Sequence, residues 1–297
     1  MNQQTIAEKV SCTGMGLHTG APVCLTLHPA RADSGVVFVR TDADEPREIR
    51  ARASQVSSTE LATWLGSEGE GVGTVEHLLA ALFGLGIDNV RVELDGPEVP
   101  VLDGSAAPFV YLLRSAGVFR QRRERRLLEV MRPIEVVDGT RSIRIEPSAR
   151  FDVTYTVDFD HPAIGRQQIA LHPLAPEVFE KEIAPARTFG FLGEVEALWE
   201  AGYARGGSLE NTLVLDDQRV INRDGLRFAD EFVRHKVLDL MGDLALLGVF
   251  LKGHVHVMRG GHALHQQLIR AVLDQPDAWR IRTEEADSAL RIAAAAR

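Results

Sequence analysis

The strongest constraint on the fold is an order of elements that occurs twice along the chain. In residues 1–120, apolar residues alternate over 23–27 and 36–39, the pattern of half-buried strands. A helical stripe follows at Val75, Leu78, Leu79 and Leu82, with Thr74 expected as its N-cap and Gly84 as its stop. A strand is expected over 89–94, and a second helix opens at Asp103-Gly104-Ser105 and ends near Gly117. Beyond a basic run the order returns. Strand patterns occupy 127–137, 142–145, 151–159 and 167–171, then come a helix over about 230–247, a strand over 252–258 and a helix over about 261–273. The segment His77…Ala81-Leu82-Phe83-Gly84…Val90-Arg91-Val92 can be laid over His235…Leu246-Leu247-Gly248…Val255-His256-Val257, a weak internal repeat. Strands ahead of helices in each half predict α+β layering and argue against a doubly wound parallel sheet.

The division that follows is a first domain over 1–120, a basic linker over 121–126 and a second domain over 127–297. Arginines at 120, 122, 123, 125 and 126 read as a solvated linker, the alternative being contact with an anionic ligand or membrane surface. The whole chain carries 33 basic and 42 acidic residues, a net −9, the wrong sign for a nucleic-acid-binding protein. Cys12 and Cys24 are the only cysteines, which excludes a disulfide framework. The longest uncharged apolar run, 78–87, has ten residues, half of the about twenty that span a bilayer. Residues 1–8 lack the basic and apolar regions of a signal peptide. A cytoplasmic globular enzyme is the expectation.

His235, Asp239 and Asp243 stand at i, i+4 and i+8, one stripe of a helix. An imidazole and a carboxylate one turn apart can converge on one divalent ion, with zinc preferred by the nitrogen donor. The competing reading is an exposed His–Asp pair. The flanking residues are strongly apolar, however, and enclosed charges need partners. Glu76-His77 in the other half is a natural third source. Adjacent helical side chains point about 100° apart, so His77 can ligate while Glu76 takes a proton from water. Its bland alternative is a helix-dipole Glu beside an ordinary half-buried His. Four of the ten histidines, His254, His256, His262 and His265, fall within twelve residues. His254 and His256 share a strand face, as a metal pair or as a polar edge pair. His262 follows Gly260-Gly261 at a helix start, where backbone N–H groups favour negative charge. Periodicity alone does not choose His262 over His256 as an acid.

Seven ordered segments resemble the zinc-dependent UDP-3-O-acyl-N-acetylglucosamine deacetylases of lipid A biosynthesis. They begin at Thr13-Gly14-Met15-Gly16-Leu17-His18-Thr19-Gly20, Thr74-Val75-Glu76-His77-Leu78-Leu79 and Asp95-Gly96-Pro97-Glu98-Val99-Pro100 running on to Ser105. Ala186-Arg187-Thr188-Phe189-Gly190, Ser208-Leu209-Glu210-Asn211, His235-Lys236-Val237-Leu238-Asp239 with Gly242-Asp243, and Gly260-Gly261-His262 complete them. The resemblance implies metal ligands His77, His235 and Asp239, a general base Glu76, a carbonyl-polarising Thr188, and an acid or charge-stabilising His262 partnered by Asp243. It implies substrate contacts at Lys236 (phosphate), Phe189, His18, Phe159 (nucleobase stacking) and Phe191. Phe191, with Leu192, Leu198 and Trp199, falls in an insert over 191–207 that would line a passage for the acyl chain.

The implied fold is two similar α+β domains, each a mainly antiparallel sheet with a helix pair, packed helix layer to helix layer. The family's Thr-rich turn reads here Ser58-Thr59-Glu60-Leu61-Ala62-Thr63, with Glu60 and Ala62 as departures. The implied activity is removal of the N-acetyl group from UDP-3-O-acyl-N-acetylglucosamine with one zinc ion, ferrous iron being an alternative. The implied protein is a monomer without nucleic acid or a transmembrane segment. The rival readings are a nucleotide-sugar or metal-binding module without turnover, and a related metal hydrolase acting on another acylated substrate.

Overall fold

The computed structural model describes residues 1–42, 45–67 and 69–283; the tail over 284–297, assigned above to the second domain, lies outside the described residues. In the first half two hairpins form, Val10–Met15 with Pro22–Pro29 and Val36–Arg40 with Arg47–Arg50. Val90–Leu94 joins them, antiparallel to Pro22–Pro29 and parallel to Val36–Arg40. The second half builds the same sheet. Ile134–Asp138 pairs with Arg141–Glu146, and Phe151–Asp158 pairs with Arg166–Leu171. Phe250–Met258 lies between them, antiparallel to Arg141–Glu146 and parallel to Phe151–Asp158. The weak repeat in the sequence is thus a repeat of topology, α+β and mainly antiparallel in each half. Each central strand alternates inward and outward: Val90, Val92 and Leu94 are buried in one, Leu251, Val255 and Val257 in the other.

The repeat extends to the flanks and corrects the reading of the basic run. Asn2–Ile6 pairs antiparallel with Val118–Glu124, as Arg126–Val130 pairs with Trp279–Thr283. Residues 121–126 are therefore strand on both sides of Arg125, not a solvated linker. Gln121 and Arg125 point inward: Arg125 pairs with Asp88 at 2.7 Å and lies 4.3 Å from the Phe250 ring centre. The exposed guanidinium heads of Arg120, Arg122 and Arg123 made a paired strand look like a charge run. The run over 127–137 is likewise two strands, broken at Met131–Pro133 where proline cannot donate to a ladder.

Among the described residues, four helices of ten or more residues fill the space beside the sheets: Glu76–Leu85, Ala107–Ala116, Glu231–Leu244 and His262–Leu273. Two helix-end expectations fail locally. The first helix runs through Gly84 and stops at Gly86, whose φ of +72° suits a residue without Cβ. Thr74 does not cap it; Val75 precedes the helix and the Thr74 hydroxyl is engaged elsewhere. The first helix of each half packs on its counterpart. Contact is closest at Gly242, where a Cβ would lie 2.1 Å from the Glu76 carbonyl oxygen. Phe83 of the first helix also stacks on Phe250, with ring centres 5.0 Å apart. No helix among the described residues is long and apolar enough to cross a membrane.

Gly242→Ala separates two opposing effects. Helix propensity favours Ala by about 0.8–1.0 kcal/mol, whereas overpacking costs about 1–3 kcal/mol. Because the obstacle is backbone, we expect the clash to win and the thermal midpoint to fall. A midpoint equal to or above that of the parent protein would show that the two helices do not meet this closely.

Candidate active site

The first helix begins with its reactive residues, and a buried carboxylate sets that beginning. Glu98 Oε1 accepts from the Thr74 hydroxyl at 2.6 Å, where Thr74 turns the chain with φ +53°. The same carboxylate accepts from the His18 and Thr19 N–H groups and the Thr19 hydroxyl at 2.8 to 3.2 Å. The loop carrying His18 and the helix start carrying Glu76 and His77 are thereby fixed to one group.

On the other side, Arg187 and Glu231 form a buried pair at 2.9 Å that ties the Ala186–Thr188 segment to the start of the Glu231–Leu244 helix. The Ala186 carbonyl lies 3.0 Å from His235 Nδ1, so Nδ1 carries the proton and Nε2 keeps its lone pair. That Nε2 lies 3.3 Å from Asp239 Oδ1, and His77 Nε2 lies 3.8 Å from the same oxygen. Ligands bonded at about 2.0–2.1 Å to a tetrahedral zinc stand about 3.3 Å apart, so His77, His235 and Asp239 fit one ion. All three are buried. Burial pushes His77 down to about 3, with His235 adding to it, and burial also holds His235 below the ordinary imidazole range. Both rings are kept neutral, the ligating form. Burial opposes ionisation of Asp239, but the basic groups around it, with the Lys236 ammonium in contact, outweigh it and hold the carboxylate well below its usual range. Lys236 Nζ takes the second oxygen, Oδ2, at 2.8 Å.

Beside this cluster a carboxylate faces an imidazole. His262 Nε2 lies 3.8 Å from Glu76 Oε1, and His262 Nδ1 lies 2.7 Å from Asp243 Oδ2. Burial raises Glu76 to about 7, Asp243 and Asp239 adding to it while His262 opposes. For His262 burial favours the neutral ring, but the charge and hydrogen bond of Asp243, with Glu76, raise it to about 10. Asp243 is pulled the other way. Burial would raise it, yet His262 and the hydrogen bonds from both rings bring it to about 2. The second ring is His265, whose Nδ1 lies 2.7 Å from the same Oδ2 and whose Nε2 lies 3.2 Å from the Tyr155 hydroxyl.

Thr63 binds the two sides together. Its hydroxyl donates to Asp243 Oδ1 at 2.6 Å and its N–H to Glu76 Oε2 at 3.1 Å. Sequence reasoning noted this stretch only as a departure from a Thr-rich turn, because an irregular loop has no period to read. Glu98 and Tyr155 carry no local signal in the sequence, and His265 is one of four clustered histidines that periodicity does not tell apart.

An aromatic group adjoins the cluster through Phe189. Phe189 faces His235 at 6.4 Å between ring centres and lies beneath Lys236 Nζ at 5.3 Å. Phe159 and Phe191 join it, with Phe159–Phe189 at 5.6 Å and Phe159–Phe191 at 6.1 Å. Thr188 is fixed through its backbone, its N–H donating to Gly104 and its carbonyl accepting from Leu213. The 191–207 segment holds a short helix, Val195–Glu200, and its end is pinned to the His18 loop by Arg205 and Gly206 N–H groups. Leu192 and Trp199 on it are exposed. The buried His18 ring meets Tyr203 edge to face at 5.6 Å, and neither of its nitrogens has a partner among the described residues.

Fold and site together define an α+β protein in which a candidate metal centre and a buried carboxylate–imidazole pair are assembled from both halves. A family model for UDP-3-O-acyl N-acetylglycosamine deacetylase matches residues 3–274. A UDP-3-O-acyl-N-acetylglucosamine deacetylase of Anaeromyxobacter sp. (strain Fw109-5) is 51% identical over 280 residues, 94% of this chain and 91% of its own. Proteins of the same name from Myxococcus xanthus (strain DK1622) and Oleidesulfovibrio alaskensis are 51% and 47% identical. They cover 94% and 98% of this chain and 89% and 95% of their own. The chain belongs to the UDP-3-O-acyl N-acetylglycosamine deacetylase family.

Thr63→Val removes the hydroxyl at nearly constant shape and leaves Asp243 Oδ1 short of a donor, a loss of about 1–3 kcal/mol for a buried acceptor. Turnover should fall by about tenfold or more with KM nearly unchanged, and Thr63→Ser should restore it. Equal turnover in the Val variant would show that the hydroxyl does not hold the carboxylate–imidazole pair in place.

Proposed function

We propose that this protein is a zinc-dependent hydrolase that removes the N-acetyl group from UDP-3-O-acyl-N-acetylglucosamine, a step of lipid A biosynthesis. Water adds to the 2-acetamido carbonyl, the C–N bond breaks, and acetate leaves a free amine on the sugar. The observation that carries the reading is the Glu76–His262 pair 3.8 Å apart beside the His77–His235–Asp239 cluster. Hydrolysis of an amide needs a base for water and an acid for the amine: Glu76, raised to about 7, exchanges a proton near neutrality while His262, raised to about 10, holds one.

His77, His235 and Asp239 would hold the ion, which when bound supplies Lewis acidity toward the carbonyl and toward water. Glu76 accepts the water's proton at Oε1, since its other oxygen is held by the Thr63 N–H. His262 is an imidazolium at neutral pH because Asp243 holds Nδ1; its Nε2 faces Glu76 and gives its proton to the departing amine. Thr188 donates to the developing oxyanion. Lys236 offers its remaining donors to a substrate phosphate, and Phe159 and Phe189 supply faces for the nucleobase end. Phe191 and the 191–207 segment take the acyl chain, with His18 at the entrance to that passage.

Two measurements test this. The metal-loaded protein should release acetate from the acylated UDP-sugar, and Ala at His77, His235 or Asp239 should lower bound metal and acetate release together. Three variants that kept full metal would overturn the ligand assignment; a fully metallated parent protein without acetate release would overturn the reaction. The second test uses pH. The raised His262 keeps its proton below about 10 and loses it above, so activity should fall on that basic side. Asp243→Asn removes the anion that sustains the imidazolium, and the basic limb of kcat/KM should move down by about 1–3 pH units. An unmoved limb would assign it to another group.

A further inference from the structure

The outer face of the second sheet carries a second concentration of metal-ligating side chains that the deacetylase chemistry does not use. Phe250–Met258 alternates strictly, with Val255 and Val257 turned toward the helices and His254 and His256 turned away. Its neighbours place an acidic residue on each side of His254: Glu146 is its partner across one ladder and Asp152 across the other. The two imidazoles do not splay apart as residues two apart on a strand ordinarily can. Their ring centres are 3.7 Å apart. His256 Nε2 lies 3.1 Å from Glu146 Oε1, nearly the spacing of two ligands on one tetrahedral ion. Donor atoms of Glu146, His254 and His256 all lie within 4.8 Å of one another. Beyond them His172 meets the His254 ring edge to face at 4.7 Å.

We propose that Glu146, His254 and His256 form a second, outward-facing site for a divalent ion of the zinc class. Two imidazoles and a carboxylate suit zinc, nickel or copper rather than magnesium or calcium, which prefer oxygen ligands. The surroundings are arranged as they are around bound ions. Thr154 Oγ1 lies 3.0 Å from His254 Nε2, fixing that ring and leaving Nδ1 for a ligand. Burial, with His256 and His172 adding, holds His254 below the ordinary imidazole range and so in its neutral form. Arg144 pairs with Glu146 Oε2 at 2.9 Å, which occupies that oxygen and leaves Oε1 toward His256. Glu146 and Asp152 together outweigh the single positive charge of Arg144, so a cation is favoured there.

The test is equilibrium dialysis of the metal-loaded full chain against Zn(II), comparing the parent protein with a His254→Gln/His256→Gln double variant. The parent protein should bind one more ion per chain than the variant, while acetate release is the same in both. Glu146→Gln, which changes neither ring, should weaken the additional ion by at least about tenfold. With Cu(II) as the probe, the electron spin resonance spectrum of that ion should show nitrogen couplings that the double variant lacks. Equal numbers of ions in parent and double variant, or copper couplings unchanged by it, would overturn the proposal. Neither result bears on the deacetylase reading, which rests on other residues.

Discussion

The close approach of the Glu76–Leu85 helix to the Glu231–Leu244 helix at Gly242 is the constraint from which the site follows. Each helix brings part of a candidate ligand set that is incomplete alone: one imidazole from the first half, an imidazole and a carboxylate from the second. A glycine at the crossing lets backbone meet backbone, and only then do His77 Nε2 and His235 Nε2 share Asp239 Oδ1. A side chain at 242 could be accommodated only by a shift of one helix backbone against the other. The stacked Phe83–Phe250 pair holds the same two halves together further along.

Burying so many charges in that crossing is tolerated because each is matched. Asp243 accepts from two imidazoles and a hydroxyl, Asp239 faces His235 and Lys236, and Glu231 holds Arg187. Removing one member of such a buried set leaves its partner uncompensated, at a cost of about 3–5 kcal/mol, more than a packing change of one methylene. The same matching divides the acid from the base. Glu76 has lost solvent and gained like-charged neighbours, so its proton affinity rises toward neutrality. His262 has lost solvent too, but Asp243 is close enough to reverse the effect. Burial alone would have left both groups neutral and without use to one another.

The loops are held to the same plan by polar groups rather than by packing. Glu98 gathers His18, Thr19 and Thr74, so the His18 loop and the start of the Glu76–Leu85 helix are tied to one carboxylate. Backbone bonds from Arg205 and Gly206 then attach the 191–207 segment to that loop. The segment expected to take an acyl chain is therefore linked through His18, Glu98 and Thr74 to the helix that carries Glu76 and His77.

Much of this was legible in the sequence because it depends on local periodicity. The stripe His235, Asp239 and Asp243 follows from 3.6 residues per turn, and the alternation of Val90–Leu94 and Phe250–Met258 from a period of two. The order of elements repeated along the chain was enough to expect two α+β halves, and seven ordered segments were enough to expect the family. What local pattern could not reach was anything decided by chain segments far apart. Thr63 lies in an irregular loop, and its importance comes from Asp243, 180 residues away. The basic run over 120–126 looked like a linker because its charges were visible and its partner strand, Asn2–Ile6, was not. Glu98 and Gly242 are ordinary residues by composition, and only folding supplies the donors around one and the carbonyl against the other. Hydrophobic spacing is a property of neighbouring residues, so the sequence alone determined the elements and the faces they bury. Hydrogen bonds and close approaches between remote backbones depend on where those faces meet, and that the tertiary structure decided.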